Sequence, residues 1–203
     1  VIDIKALIVF SHPREGSFSH ALLDRVTAAL ETKGYQVNVR DLYKMKFNPI
    51  LEAGDMIHIE DGAFVRDHAT FPAEVIKEQQ LMLESNLYLY IFPIWWNGMP
   101  AIMKGYFDRV FQHGFAYSFD NDQAFQRFQG KRALFLTPTG QPQEIEGAEN
   151  PLSQAIRTVT SDWLFNGNSV EVIDHVFYGR VPYLSEQELE LYLQDAEQRI
   201  QAL

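Results

Sequence analysis

Leu87-Tyr88-Leu89-Tyr90-Ile91, continued by Phe92-Pro93-Ile94-Trp95-Trp96-Asn97-Gly98-Met99-Pro100, is the stretch that decides the fold. Its first five residues form a short, unbroken apolar run of β-favouring side chains, as in a strand buried on both faces. Pro93 ends the run, and Gly98 and Pro100 bound a turn that leads into Ala101-Ile102-Met103-Lys104-Gly105-Tyr106-Phe107. Strands of this kind belong to open α/β sheets, whose ligands bind beyond the carboxyl ends of the strands. Two indoles in a turn at such an end are costly to leave in water without a role. A flat, aromatic-rimmed turn there suits a flat ring system. Plain core packing is the competing reading, although core aromatics more often sit inside an element.

Outward from that strand the chain alternates. Ile4 to Phe10 is a second buried-strand run. Between Ser17 and Lys33, Phe18, Leu22, Val26, Ala29 and Leu30 fall on one helical face, which Gly34 ends. Tyr35 to Arg40 alternates like a strand, whereas 41–70 carries no period and reads as a long surface excursion with Asn48-Pro49, Gly54 and Gly62. Pro72 opens a helix with Val75, Ile76, Leu81 and Leu83 as its apolar face. After the tryptophan turn, Ile102, Tyr106, Val110 and Phe111 mark the buried side of another helix. Arg132 to Thr137 is a strand, Pro151 starts a helix reaching Leu164, and Asn166-Gly167 breaks it. Val170 to Ile173 is the last strand, and Ser185-Glu186-Gln187-Glu188 is a capping box that opens the final helix. Strict β-α alternation predicts one domain over 1–203, a five-stranded parallel sheet between two helical layers. The flavodoxin-like order 2-1-3-4-5 is the natural arrangement, with a ligand crevice beyond strands one and three.

Bulk properties exclude several functions. Twenty-seven acidic against 17 basic residues give a net charge of −10, the reverse of a nucleic-acid footprint. Cysteine is absent, which removes disulfides, thiol nucleophiles and cysteine-ligated metals. Val1 to Phe10 lacks the basic region and cleavage pattern of a signal peptide. No apolar run approaches a membrane span, and the expected location is the cytoplasm.

Three loops leave the carboxyl ends of strands one, three and four. The first, Ser11-His12-Pro13-Arg14-Glu15-Gly16-Ser17-Phe18-Ser19, opens a helix whose free N–H groups and partial positive charge suit a phosphate. Ser17 as a simple helix cap is the equal alternative. The second is the tryptophan turn. The third, Thr137-Pro138-Thr139-Gly140, offers hydroxyls and N–H groups to the edge of a heterocycle, though the same residues make an ordinary turn. No dinucleotide fingerprint, P-loop or zinc-protease spacing occurs. His58 and His68, ten residues apart among acidic neighbours, read as a solvated loop rather than a metal site. His113-Gly114-Phe115-Ala116-Tyr117-Ser118-Phe119 is a second aromatic cluster, able to roof a pocket in this subunit or a neighbour.

Three ordered matches carry a family resemblance: Phe92 to Phe111 with Gly114-Phe115-Ala116-Tyr117; Asp41-Leu42-Tyr43 with Phe47-Asn48-Pro49; and Ser11-His12 with Ser17-Phe18-Ser19. The chain resembles the NAD(P)H:quinone oxidoreductases, flavodoxin-like flavoenzymes that include ancillary subunits of potassium-efflux systems. The resemblance implies a flavin, FAD in preference to FMN, with NAD(P)H as co-substrate, a quinone or similar planar acceptor, and a homodimer with shared sites. It implies phosphate-side contacts from His12, Ser17, Phe18, Ser19 and Ala21. Pro93, Ile94, Trp95, Trp96 and Asn97 would lie along the flavin ring, and Thr137, Pro138, Thr139 and Gly140 would bond its polar edge. Tyr117 and Phe119 would line the partner's substrate site. Relatives often carry a tyrosine and a histidine after a Thr-Thr-Gly-Gly loop; this chain has neither there, and Asn97 replaces an aromatic residue. An FMN-dependent azoreductase or nitroreductase, a redox-linked regulatory subunit of a potassium-efflux transporter and a flavodoxin-type electron carrier are the rival readings.

Overall fold

The computed structural model describes residues 4–65, 71–117, 127–165 and 168–203. Five strands form the main sheet: β1 (Lys5–Phe10), β2 (Gln36–Asp41), β3 (Leu87–Ile91), β4 (Arg132–Pro138) and β5 (Glu171–Tyr178). All pair in parallel, in the spatial order β2-β1-β3-β4-β5. This is the 2-1-3-4-5 arrangement expected from the alternation. The fully apolar runs become the central strands because both their faces are covered.

Side-chain alternation along those strands divides the interior into two cores. Leu7, Val9, Tyr88, Tyr90, Ala133 and Phe135 face one way, onto α2 (Ala73–Glu84) and α3 (Ala101–Val110). Ala6, Ile8, Phe10, Leu89, Ile91, Leu134 and Leu136 face the other way, onto α1 (Phe18–Thr32) and α5 (Glu186–Gln201). The Ser185–Glu188 capping box that starts α5 is formed reciprocally, as its spacing requires.

Two of the expectations are corrected. The buried face of α2 is Val75, Glu78, Gln79 and Met82, whereas Ile76 and Leu83 are exposed. Polar residues can face this core because each finds a partner. Glu78 accepts from Arg40 Nε (3.0 Å), and Gln79 donates to the Val110 carbonyl (3.0 Å). The last strand continues past Ile173 to Tyr178. Asp174 and His175 interrupt its apolar pattern, but Asp174 is bonded by Arg199 (2.6 Å) and His175 is bonded on both ring nitrogens. The helix from Pro151 reaches Leu164 as expected, with α4 (Pro151–Arg157) followed by a π-helical turn over Thr158–Asp162 and helical backbone again at 163–164.

The excursion after β2 is a docked segment. Leu42 and Phe47 are buried in the α2–α3 core, and Asn48 to Pro49 lies against α3. Asp55 meets Arg109 of α3 at 2.8 and 3.0 Å, and Arg109 also donates to the Asn48 carbonyl at 2.8 Å. Both side chains of the pair are buried. Burial opposes the Asp55 carboxylate, yet Arg109 and the Glu52 N–H outweigh it and hold its pKa below the ordinary value. A short hairpin, His58–Glu60 with Ala63–Val65, follows. His68 lies outside the described residues.

Candidate functional site

Three loops and one further turn converge at the carboxyl edge of the sheet. Backbone hydrogen bonds tie the second and third loops to each other and to the last strand and the turn that follows it. Ile94 N–H donates to the Pro138 carbonyl (2.9 Å), Thr139 N–H to the Tyr178 carbonyl (2.8 Å), and Val181 N–H to the Thr139 carbonyl (3.1 Å). Between them opens a cleft of about 260 Å³.

At one end of the cleft stands the start of α1. Ser17 is its N-cap, and its hydroxyl accepts from His20 N–H (3.3 Å) and contacts the His20 ring (3.0 Å). The capping reading of Ser17 therefore holds, and Ser17 also lines the cleft. Phe18 and Ser19 N–H have no acceptor within the helix, which leaves two donors and the positive end of the helix dipole at the cleft. His12 accepts from Arg14 N–H (3.1 Å) and stands edge-on to Trp95, with ring centroids 5.7 Å apart. Burial, with His20 and Arg14 nearby, pushes its pKa down, so it is neutral near pH 7.

The opposite walls are the tryptophan turn and the Pro138–Gly140 loop. Trp95 and Gly98 exchange backbone hydrogen bonds (2.9 and 3.2 Å), and the two residues between them have φ of 47° and 64°. Positive φ at both central positions makes a tight primed turn. Asn97 suits that region; Trp96 is strained there by roughly 1–3 kcal/mol. The turn separates the two indoles. Trp95 is partly covered and lines the cleft, while Trp96 is fully exposed and does not.

Of the residues singled out in the sequence, His12, Ser17, Phe18, Ser19, Pro93, Ile94, Trp95, Pro138, Thr139 and Gly140 line this one cleft. Ala21, Trp96, Asn97 and Thr137 lie off its wall. Thr137 is fully buried beneath it, bonded to the Val176 carbonyl (3.0 Å) and to His175 (3.1 Å). Tyr117 lines a separate cleft with Met99, Phe111 and Trp163. Phe119 lies outside the described residues. Arg14, Val181 and Pro182 complete the cleft and were not singled out. The extension of the last strand to Tyr178 brings Val181 and Pro182 to the sheet edge.

These groups fit a flat aromatic cofactor that carries phosphate. Free N–H donors at a helix start suit the phosphate. A half-exposed indole and a proline-threonine loop suit the ring. The family model described as the flavodoxin-like fold matches residues 4–202. This chain belongs to that family. Across 198 residues it is 29% identical to an uncharacterized NAD(P)H oxidoreductase of Haemophilus influenzae, covering 97% of this chain and 94% of that one. It is 34% identical over 146 residues to NAD(P)H dehydrogenase [quinone] 1 of Cavia porcellus, covering 67% of this chain. The matched region is 53% of the guinea-pig enzyme, so the chain spans about half of that relative's length. Among solved structures, a putative quinone reductase from Klebsiella pneumoniae superposes with a TM-score of 0.83 at 25% identity, covering 98% and 84% of the two chains. The NAD(P)H:quinone oxidoreductase of Methanothermobacter marburgensis gives 0.79 at 25% identity, covering 98% and 96%. Among the described residues, no helix of this flavodoxin-like protein is long and apolar enough to cross a membrane.

Proposed function

We infer that this flavodoxin-like protein is a flavin-dependent NAD(P)H:quinone oxidoreductase. The carrying observation is the single cleft that joins the open N-terminus of α1, the Trp95 ring and the Pro138–Gly140 loop. The reading is supported by a relative named NAD(P)H dehydrogenase [quinone] 1 and by structural neighbours named as a putative quinone reductase and an NAD(P)H:quinone oxidoreductase. When bound, the flavin supplies two-electron hydride chemistry that no side chain of this protein provides. In the net reaction NAD(P)H gives up a hydride, a quinone takes two electrons and two protons, and the second proton comes from solvent.

The protein's part is binding, orientation and shielding. Phe18 and Ser19 N–H, with neutral His12, hold the phosphate side. Trp95 and Ile94 cover the ring, and Thr139 and Gly140 bond its polar edge. FAD is the assigned flavin, with FMN as the alternative. A homodimer is part of the reading. Tyr117, Met99 and Trp163 line a cleft of mixed polarity outside the flavin site, together with Lys104 and Asp108, and Val159 and Trp163 are largely exposed. A second subunit would use that surface to complete the acceptor site.

Purified protein should be yellow and release FAD on denaturation, identified by chromatography and mass. It should oxidise NADPH or NADH with menadione faster than with azo dyes. Colourless protein that takes up neither FAD nor FMN overturns the proposal. Preferential turnover of azo dyes with released FMN replaces it by the azoreductase reading.

A further inference from the structure

Beneath the cleft, His175 is almost fully buried and engages both ring nitrogens with side chains far apart in sequence. Its Nε2 lies 3.1 Å from Thr137 Oγ1, and its Nδ1 lies 3.1 Å from Ser161 Oγ in the π-helical turn. Thr137 Oγ1 also lies 3.0 Å from the Val176 carbonyl, and Ser161 Oγ lies 3.0 Å from the Arg157 carbonyl; both carbonyls can only accept. A neutral imidazole has one N–H, so the ring donates to one of the two hydroxyls and accepts from the other.

The ring is boxed by apolar neighbours, stacked on Phe177 at 4.2 Å and beside Phe135 at 5.1 Å. Burial, aided by Arg157, pushes its pKa down to about 3. A phenylalanine would fill the same box without polar obligations. What the imidazole adds is a directed tether between the base of the Thr137–Gly140 loop and the π-helical turn, an irregularity that is frequent near functional sites. Pro138, the next residue, accepts from Ile94 N–H, so an anchor at Thr137 steadies both cleft walls.

We propose that His175 is a positioning residue for the cofactor loop, acting through Thr137 as a link to Ser161. The proposal rests on the flavin reading above. Its first test needs no cofactor: ¹⁵N-histidine spectra of the apoprotein at neutral pH should show a neutral imidazole with a single N–H for His175. The second is a double-mutant cycle read by titrating apoprotein with FAD and with FMN. His175→Phe and Thr137→Val should each raise Kd by about tenfold, and the double variant should be no worse than either single one. Thr137→Ser should restore binding, and Phe177→Leu should lower thermal stability without moving Kd. His175→Gln substitutes if His175→Phe does not fold.

A charged His175 ring at neutral pH overturns the proposal. So do additive losses in the cycle, or an unchanged Kd in folded His175→Phe protein. Wild-type protein that binds neither flavin removes the flavin reading and this inference with it. Wild-type binding with indifferent variants removes the inference alone.

Discussion

The Trp95–Gly98 turn and the Asn48–Asp55 segment are both irregular backbone, yet they treat their polar and aromatic groups oppositely. In the turn, backbone bonds close a strained loop, Trp96 is left entirely in solvent, and Trp95 faces a cleft. In the segment, Asp55 is buried against Arg109, the Asn48 carbonyl is bonded, and Phe47 lies under the Arg109 guanidinium at 5.4 Å. A half-covered ring facing a cleft leaves a surface open to a ligand. Fully matched charges mark one made to stay closed.

That contrast can be broken by substitution. The largest effect is expected where the closed segment loses a charge partner. Arg109→Leu leaves the Asp55 carboxylate buried and unpaired and should cost about 3–5 kcal/mol in urea unfolding, enough to detach 48–56 from α3. A loss below about 1 kcal/mol would mean that the pair behaves as a surface contact. Gly105→Ala should follow at about 1–3 kcal/mol, because its Cβ would fall 2.2 Å from the Pro49 carbonyl oxygen. Stability equal to wild type would show that Pro49 can move off α3 freely.

Beneath the open region, acid supplies the next test. His175 has its pKa lowered from 6.5 to about 3 in the folded protein. Between those values the unfolded chain binds a proton that the folded one does not, so stability falls as pH falls, by up to about 1.4 kcal/mol per pH unit. Between about pH 7 and 4 the urea midpoint of wild type should fall more steeply than that of His175→Phe, since only wild type carries this linkage. Parallel curves would place the acid sensitivity on carboxylates common to both. The smallest effects belong to the turn itself. Trp95→Ala should weaken flavin binding by about tenfold, while Trp96→Ala should leave it within about twofold. Equal losses would erase the distinction that the turn draws between its two indoles.

Much of the fold was legible because its signals are local. Leu87–Ile91 and Lys5–Phe10 are apolar throughout, and a strand of that kind needs cover on both faces. The alternation with helical periods then leaves few sheet orders. The cleft was legible for a related reason: in such a sheet the carboxyl ends of β1, β3 and β4 are neighbours whatever their side chains. The helix faces were less legible. Glu78 and Gln79 looked solvent-facing, and the Arg40 and Val110 groups that bury them lie 38 and 31 residues away.

The sequence by itself determined the parallel α/β sheet and the position of the start of α1 and the Trp95–Trp96 turn at its carboxyl edge. Only the tertiary structure decided which indole faces the cleft, because the choice lies in two positive φ angles closed by a backbone bridge. Only it tied Asp55 to Arg109 and Thr137 to His175 and Ser161, since no local pattern encodes pairs 54 and 38 residues apart. Burial then gives such pairs their weight: in a low-dielectric interior each polar group depends on its distant partner.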